Sequence, residues 1–315
     1  MALDPILRPL VTGLTQDLPD IPIEVERAQG LASAEAQVGI AIEPAPANVL
    51  VSTLYIPGPT DADPVLVKVH RTPAEPGQGP RPGLVYIHGG GWSTGSALSP
   101  EMDATCGWFA ANAGVVVVNV EYRLAPENPF PAGFDDCWAA LTWVADNADL
   151  LGIDPERLGI GGGSAGGNLS AALTLKAKAE GGPALKLQLL EAPVVDLTMS
   201  SDSIHIFDEE YPAVAQMAAA LPPRYLADPT DATNPYVSPL LAPDLSGLPR
   251  AVILTCEIDP VRDEGRRYAE RLKEAGVPVE FTQYEGMLHG CWSLTLMLPS
   301  ARRWRDQCVA ALRTL

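Results

Sequence analysis

The sequence predicts an α/β fold in which a mostly parallel central sheet is flanked by helices. Three observations predict it: six short apolar runs, helical segments that alternate with them, and Gly, Pro or Asp between the two kinds of segment. Strands that are buried on both faces of a parallel sheet give such nearly continuous apolar runs. Their alternation with helices is typical of a doubly wound sheet.

The elements follow in chain order. The six runs lie at residues 84–87, 115–120, 158–161, 185–190, 251–255 and 277–281. Helices are predicted near residues 99–112, 133–149, 165–180, 262–275 and 300–314. Two earlier runs, 49–56 and 65–70, are rich in branched residues and predict a hairpin ahead of the parallel strands.

Two segments break this alternation. Residues 1 to about 45 are rich in Pro, Ala and Glu and show only weak helical periodicity, and residues 197–248 contain seven prolines and no strand-like run. Within the second segment only residues 213–221 look helical. A structureless loop of that length is uncommon in a compact domain, so we expect an inserted substructure. The chain therefore divides into an N-terminal piece (1–45), a core in two parts (46–196 and 249–315), and the insertion (197–248).

Composition narrows the class of protein. The formal net charge of −18, with no cluster of basic residues, makes nucleic acids and anionic membranes poor partners. The N-terminus lacks a basic region, and no segment approaches the roughly 20 apolar residues of a membrane span. We therefore expect a soluble cytoplasmic protein. Five widely spaced cysteines without a C-x-x-C pair predict neither a disulfide framework nor a zinc site.

A candidate nucleophile lies in the sequence G-G-G-S-A-G-G-N at residues 161–168, between an apolar run and a helical segment. In this context the serine of a G-x-S-x-G pattern is held in a sharp turn with its hydroxyl above the sheet. The alternative is a glycine-rich phosphate loop, but Gly-Lys-Ser/Thr and the full G-x-G-x-x-G pattern are both missing. Ser164 is therefore the predicted nucleophile.

A second glycine-rich segment, H-G-G-G-W at residues 88–92, follows the run at 84–87. Consecutive glycines after a buried strand allow main-chain N–H groups to point into a cavity and meet a developing oxyanion. A bare triple glycine is more often an ordinary loop, but this one precedes the serine turn in the expected order. The N–H groups of Gly90, Gly91 and Ala165 are the predicted oxyanion donors.

A serine hydroxyl needs a base within reach. The chain has four histidines. His88 belongs to the glycine loop, His70 lies on a predicted outer strand, and His205 lies in the insertion. His289 instead follows the last run and is flanked by glycines, so it is the predicted base.

The base in turn needs a group that orients it. Glu257, Asp259 and Asp263 all follow the run at 251–255 and compete for this role. Glu257 is predicted to remain in the strand and Asp263 to belong to the helix, which leaves Asp259 in the loop. The resulting order of serine, acid and histidine is the one expected for a serine nucleophile of this kind.

Five blocks in these positions resemble the bacterial hormone-sensitive-lipase-like carboxylesterases, also called family IV, of the α/β-hydrolase superfamily. They are H-G-G-G-W at 88–92, E-Y-R-L-A-P-E at 121–127, S-A-G-G-N at 164–168, D-P-V-R-D-E at 259–264 and G-M-L-H-G at 286–290. The resemblance spans about residues 80–315. It implies the α/β-hydrolase fold, carboxylesterase activity on short to medium acyl chains, no cofactor, and frequent homodimers.

The resemblance also implies a helical cap over the site, built from residues 1–45 and 197–248. One position departs from the pattern. The family usually has an acidic residue or Thr just before the nucleophile, whereas this chain has Gly163. The departure leaves the catalytic triad intact and leaves open which hydrogen bonds support the turn.

The sequence motifs are compatible with other functions as well. A thioesterase, amidase or peptidase on the same fold would keep every motif. A non-catalytic binding protein is less favoured because all three triad residues occur together. A metal hydrolase is also less favoured, because no His or Cys spacing suits a zinc site. The predicted partner is a small-molecule acyl ester. Its acyl and alcohol pockets depend on how Phe207, Tyr211, Tyr225 and the N-terminal piece pack over the site.

Overall fold

A single sheet organises the chain. The computed structural model describes residues 3–8, 21–60, 63–206 and 212–315, and eight strands of these residues form the sheet. They are β1 (Leu50–Ile56), β2 (Val65–Arg71), β3 (Arg81–Ile87), β4 (Val116–Glu121), β5 (Ile153–Gly163), β6 (Leu185–Glu191), β7 (Arg250–Ile258) and β8 (Val279–Leu288). Their order is β1-β2-β4-β3-β5-β6-β7-β8. Strand β2 runs antiparallel to both neighbours, and the other five pairings are parallel.

Helices connect and flank the strands. They are α1 (Ile23–Gln37), α2 (Pro100–Ala113), α3 (Ala132–Asp146), α4 (Ala148–Leu151), α5 (Ala165–Glu180), α6 (Asp202–Ile206), α7 (Pro212–Tyr225), α8 (Arg262–Glu274) and α9 (Pro299–Leu312). Local sequence explains where α2 begins: the Ser99 side chain accepts the main-chain N–H of Met102, and Pro100 occupies the first turn.

The central strands of the sheet are buried on both faces, as their apolar runs predict. Successive side chains of β3 point to opposite faces. Leu84 and Tyr86 pack in one core cluster with side chains of α2 and α9, whereas Val85 and Ile87 pack in another with side chains of α3 and α5. This arrangement confirms the predicted α/β class with helices on both faces of a mostly parallel sheet.

Several element boundaries differ from the sequence prediction. Strand β5, for example, spans Ile153–Gly163 where 158–161 was predicted, and α6 was not predicted. Strand β8 begins at Val279, two residues later than predicted, because Val277 closes the turn after α8 by donating its N–H to the Leu272 carbonyl at 2.9 Å. Helix α7 continues to Tyr225 through Pro222 and Pro223, past the predicted end at residue 221. Proline favours a helix end because it lacks an N–H, so tertiary contacts of this turn outweigh the local signal.

Several described elements belong to the two segments predicted as a cap. They are α1, α6, α7 and the short 3-10 helices Pro229–Thr233 and Pro239–Leu241. Glu26 of α1 and Arg224 of α7 form an ion pair at 3.0 Å, which joins the two segments. The division into core and cap stays a prediction. None of the helices in the described ranges has the length and apolar character needed to cross a membrane.

Candidate active site

The predicted nucleophile lies in a sharp turn between a strand and a helix. Strand β5 ends at Gly163, helix α5 begins at Ala165, and Ser164 between them has φ 55° and ψ −117°. A positive φ is unfavourable for a residue with a side chain, so the turn stores backbone strain of about 1–3 kcal/mol. Such strain is typical of a serine held with its hydroxyl away from the sheet.

Close main-chain packing explains the glycines of this turn. A Cβ on Gly166 would lie 1.9 Å from the carbonyl oxygen of Ile87, and one on Gly162 would lie 2.3 Å from the same atom. Neither distance is compatible with a methyl group. The two glycines therefore allow the turn to lie directly against the end of β3, from which the second glycine-rich segment departs.

Adjacent strands bring the predicted base and acid to the same edge of the sheet. Asp259 follows the end of β7, and His289 follows the end of β8. His289 Nδ1 lies 2.8 Å from Asp259 Oδ2, and His289 Nε2 lies 2.9 Å from Ser164 Oγ. The structure thus brings the three predicted residues into one hydrogen-bonded line, although they lie far apart in the sequence.

The environment of the imidazole determines its protonation. Burial alone would lower the pKa of His289, but the charge of Asp259 and its hydrogen bond outweigh that effect, so the pKa lies above its ordinary value of 6.5. Asp259 is fully buried, and its other oxygen accepts the main-chain N–H of Val261 at 3.0 Å. Because Oδ1 is occupied in this way, the carboxylate presents Oδ2 to the imidazole in a fixed orientation.

The two competing acids have other partners. Glu257 lies in β7 and accepts the main-chain N–H of Gly286 at 2.8 Å. Asp263 lies in α8 and pairs with the guanidinium groups of Arg262 and Arg266 at 2.9 and 3.1 Å. The sequence prediction that Glu257 remains in the strand and Asp263 belongs to the helix is therefore confirmed.

The three remaining histidines lie outside the hydrogen-bonded line of Ser164, His289 and Asp259. His88 is buried, stacks on Tyr122 with ring centroids 4.2 Å apart, and lies within 2.8 Å of the Gly89 carbonyl through Nδ1. Burial lowers its pKa, and the charge of Glu121 only partly opposes this. His70 lies on β2 with Nε2 2.9 Å from Asp103, and His205 lies in α6.

The glycine loop after β3 packs against the nucleophile turn. A Cβ on Gly89 would lie 3.4 Å from the Cβ of Ser164. Gly90 and Gly91 have φ of 113° and 56°, which residues with side chains rarely adopt. Within the described ranges, neither glycine donates its N–H to a protein acceptor. The N–H of Ala165, at the first position of α5, has no acceptor within its helix.

Two contacts that the sequence did not indicate hold this loop. The indole of Trp92 stacks on the ring of Tyr225 in α7 with centroids 4.2 Å apart and planes within 9°. Arg27 of α1 donates to the carbonyls of Ser93 at 2.7 Å and Ala125 at 2.8 Å. Its guanidinium also forms a two-pronged ion pair with Glu127. Arg27 lies in a weakly periodic segment, and no local pattern could have revealed its partners.

Asn168 is another residue whose role the sequence alone does not indicate. It is fully buried, and its amide donates to the main-chain carbonyls of Val194 at 2.7 Å and Val237 at 2.8 Å. It therefore ties the start of α5 to two segments that follow β6. The sequence indicated only that Asn168 belongs to the S-A-G-G-N block and not which groups it binds.

The described residues provide no obvious metal site. Within these ranges, no group of three or more His, Cys, Asp or Glu side chains is arranged to hold a metal ion. The five cysteines are buried free thiols. The hydrogen-bonded line of Ser164, His289 and Asp259 is therefore the chemically distinctive feature of this sheet edge.

Comparison with known proteins agrees with this arrangement. A sequence model of the α/β hydrolase fold matches residues 84–293. The carboxylesterase NlhH of Mycobacterium tuberculosis is 43% identical over 243 residues, covering 74% of this chain and 73% of that protein. The esterase LipI of the same organism is 33% identical over 317 residues, covering 100% of this chain and 95% of that protein.

A solved structure is similar over the whole chain. The hyperthermophilic esterase from the archaeon Pyrobaculum calidifontis superimposes with a TM-score of 0.90 at 36% identity, covering 100% of this chain and 99% of that one. The present chain therefore belongs to the α/β hydrolase fold family. Within that family, the predicted resemblance to the hormone-sensitive-lipase-like carboxylesterases is confirmed, since these relatives are carboxylesterases and esterases.

Proposed function

We propose that this chain is a serine carboxylesterase that hydrolyses short- to medium-chain acyl esters through an acyl-enzyme intermediate. The observation that carries the proposal is the hydrogen-bonded line from Asp259 through His289 to Ser164. It lies beside a glycine loop in which the N–H groups of Gly90 and Gly91 have no acceptor among the described residues. The carboxylesterase and esterase relatives support the same activity.

Acylation begins at the serine. With the imidazole proton on Nδ1, His289 donates to Asp259 and accepts from the Ser164 hydroxyl, whose oxygen attacks the ester carbonyl as Nε2 takes its proton. Asp259 remains ionised and stabilises the imidazolium that forms. The raised pKa of His289 is consistent with this role, because it reports that the carboxylate favours the charged ring.

The tetrahedral oxyanion needs donors at the position where charge develops. We assign this role to the N–H groups of Gly90, Gly91 and Ala165. Loss of one such donor typically costs about 2.7–4 kcal/mol of transition-state stabilisation. The N-terminus of α5 adds the positive end of a helix dipole to the same side of the turn.

Departure of the alcohol completes acylation, and water then carries out deacylation with the same residues. His289 gives its proton to the leaving alcohol oxygen as the tetrahedral intermediate collapses to the acyl-enzyme and alcohol. Water then attacks the acyl carbonyl while His289 again acts as base, and the carboxylic acid leaves as Ser164 recovers its proton. The cycle conserves charge and needs no cofactor.

We propose that residues 1–45 and 197–248 form a cap that shapes the substrate pocket. A Cβ on Gly91 would lie 2.6 Å from a Leu221 methyl group, so α7 lies against the proposed oxyanion loop. Tyr225 of the same helix stacks on Trp92. Phe207 and Tyr211, the other predicted pocket residues, lie outside the described residues.

The proposal extends to location and partners. A formal charge of −18 disfavours nucleic acid as a partner, and we propose a cytoplasmic enzyme that acts on small-molecule esters. Analytical ultracentrifugation of the full chain tests whether it forms the homodimer that the family resemblance implies. A single sedimenting species with the mass of one chain would reject the dimer.

A substrate panel tests the activity directly. The full chain and Ser164→Ala are compared on p-nitrophenyl esters of increasing acyl length, a thioester and an anilide. We expect fast hydrolysis of the shorter esters and loss of turnover in Ser164→Ala with the unfolding temperature retained. Equal ester hydrolysis by the two proteins would refute the proposed nucleophile, and a preference for the thioester or anilide would refute the substrate class.

A further inference from the structure

The position just before the nucleophile is a glycine that the backbone does not require. Gly163 does not have a positive φ, so alanine would fit its main-chain conformation. What limits it is a neighbour: a Cβ at this position would lie 3.0 Å from Cζ2 of Trp292. The missing side chain therefore makes room for an indole beside the nucleophile turn.

That indole also contacts the proposed base. The ring of Trp292 meets the imidazole of His289 edge to face, with centroids 5.3 Å apart and an angle of 81° between the planes. Trp292 thus touches both the turn that carries Ser164 and the ring that accepts its proton. Moving this indole would allow the imidazole to turn away from the serine hydroxyl.

A second tryptophan supports the first. Trp304 of α9 stacks on Trp292 with ring centroids 5.4 Å apart and planes within 10°. Both indoles border a pocket of about 30 Å³. A hydrogen bond adds a directional contact to the packing of the stack.

Glu191 at the end of β6 provides that contact. Its carboxylate is buried and accepts the indole N–H of Trp304 at 2.5 Å on Oε2 and the hydroxyl of Tyr86 at 2.8 Å on Oε1. Its main-chain oxygen accepts the N–H of Ser164 at 2.8 Å, and it is the register partner of Gly163 across β5 and β6. One residue thus connects the nucleophile turn with the indole stack.

We infer that Glu191 is a positioning residue for the proposed hydrolysis, acting through Trp304 and Trp292 on the imidazole of His289, and that Gly163 is required to admit Trp292. The inference deepens the proposed function and rests on it. The position of a catalytic group strongly affects the rate, because a displacement of about 1 Å can lower it roughly 100-fold.

A double-mutant cycle tests the glycine and the indole. In the parent chain we expect Gly163→Ala to lower kcat on p-nitrophenyl butyrate by about tenfold or more while KM changes less than about threefold. In a Trp292→Phe background, where the indole benzo ring is gone, the same change should alter kcat less than about twofold. Equal effects of Gly163→Ala in both backgrounds, or no effect in the parent chain, would overturn the inference.

The carboxylate is tested with three variants. Glu191→Leu removes the acceptor of the Trp304 N–H and should lower kcat about tenfold with little change in KM. Glu191→Gln should retain kcat within about threefold, because its amide oxygen can accept from Trp304 while its amide N–H donates to Tyr86. Tyr86→Phe is the matched control: it removes a hydrogen bond from the same carboxylate and should lower the unfolding temperature but not kcat.

Equal kcat values per folded molecule in Glu191→Leu and Tyr86→Phe would mean that Glu191 only stabilises the fold, and the inference would be wrong. If Glu191→Leu yields no folded protein, the cycle at positions 163 and 292 decides. Ser164→Ala, measured in parallel, separates the two proposals. Hydrolysis that survives in that variant would refute the proposed nucleophile, whereas its loss together with additive effects in the cycle would refute the positioning role alone.

Discussion

Replacement of Asp259 by Asn probes the proposed general base without changing the shape of the site. The carboxylate is fully buried, with Oδ1 accepting the Val261 N–H at 3.0 Å and Oδ2 2.8 Å from His289 Nδ1. An asparagine oxygen would keep the bond from Val261, which directs the amide NH2 toward Nδ1. The imidazole would then carry its proton on Nε2 and could not accept one from Ser164.

The size of the effect follows from this geometry. The wrong imidazole tautomer lowers kcat by about 10⁴-fold where an intact serine site has been altered in this way, which corresponds to about 5 kcal/mol of activation free energy. The pKa of His289 should also change. The charge of Asp259 raises it above 6.5 against the effect of burial, so the variant should have a lower pKa, with the acid limb of residual kcat/KM displaced to lower pH.

Steady-state hydrolysis of p-nitrophenyl butyrate across pH measures both quantities. Asp263→Asn is the matched control, since Asp263 pairs with Arg262 and Arg266, and its kcat should stay within about threefold of the parent. If Asp259→Asn kept kcat within tenfold of the parent, or if Asp263→Asn lost activity instead, the reasoning about the acid would be refuted.

Three further predictions concern stability. Gly166→Ala places a Cβ 1.9 Å from a carbonyl oxygen and should lower the free energy of unfolding in urea by about 3 kcal/mol or more. Gly30→Ala in α1 has open space around it and should not lower this free energy; equal losses in the two variants would contradict the prediction. Arg27→Met should lower the free energy of unfolding by about 2 kcal/mol, because it leaves two main-chain carbonyls without their donor. Glu127→Gln leaves those donors in place and should lower it by less than about 1 kcal/mol; indistinguishable urea midpoints of the two variants would refute this. Burial, and then two nearby carboxylates, raise the pKa of Glu264 well above 4.5, so the folded chain holds this proton more tightly than the unfolded chain. The contribution of Glu264 to stability therefore falls as pH rises above about 4.5; the unfolding temperature of Glu264→Gln relative to the parent should rise between pH 4.5 and 8, and a difference that stays flat would contradict this.

The sequence indicated the sheet and its edge because these depend on local patterns. Apolar runs identified the parallel strands, and the residues directly after them, such as Asp259 and His289, follow strand ends that lie side by side. Parallel strands direct their carboxyl ends to one edge of the sheet. The predicted site residues could therefore be placed at this edge because each lies close to the end of a predicted strand.

The supporting contacts could not be predicted in this way. The partners of Arg27 lie 66 to 100 residues away, and Glu191 and Trp304 are 113 residues apart. Such contacts depend on tertiary packing and leave no periodic or motif signal. The continuation of α7 through Pro222 and Pro223 was missed for a related reason, because a local breaker signal was overridden by contacts that include the stacking of Tyr225 on Trp92.

Covalent trapping with an organophosphate identifies the nucleophilic atom directly. The full chain is treated with diethyl p-nitrophenyl phosphate, released p-nitrophenolate is measured per chain, and the modified peptide is sequenced by mass spectrometry. We expect one equivalent of p-nitrophenolate released per chain, complete loss of esterase activity, and a diethylphosphoryl group on Ser164 alone, with no labelling of Ser164→Ala. Label on another residue, or activity that survives stoichiometric labelling of Ser164, would contradict this expectation.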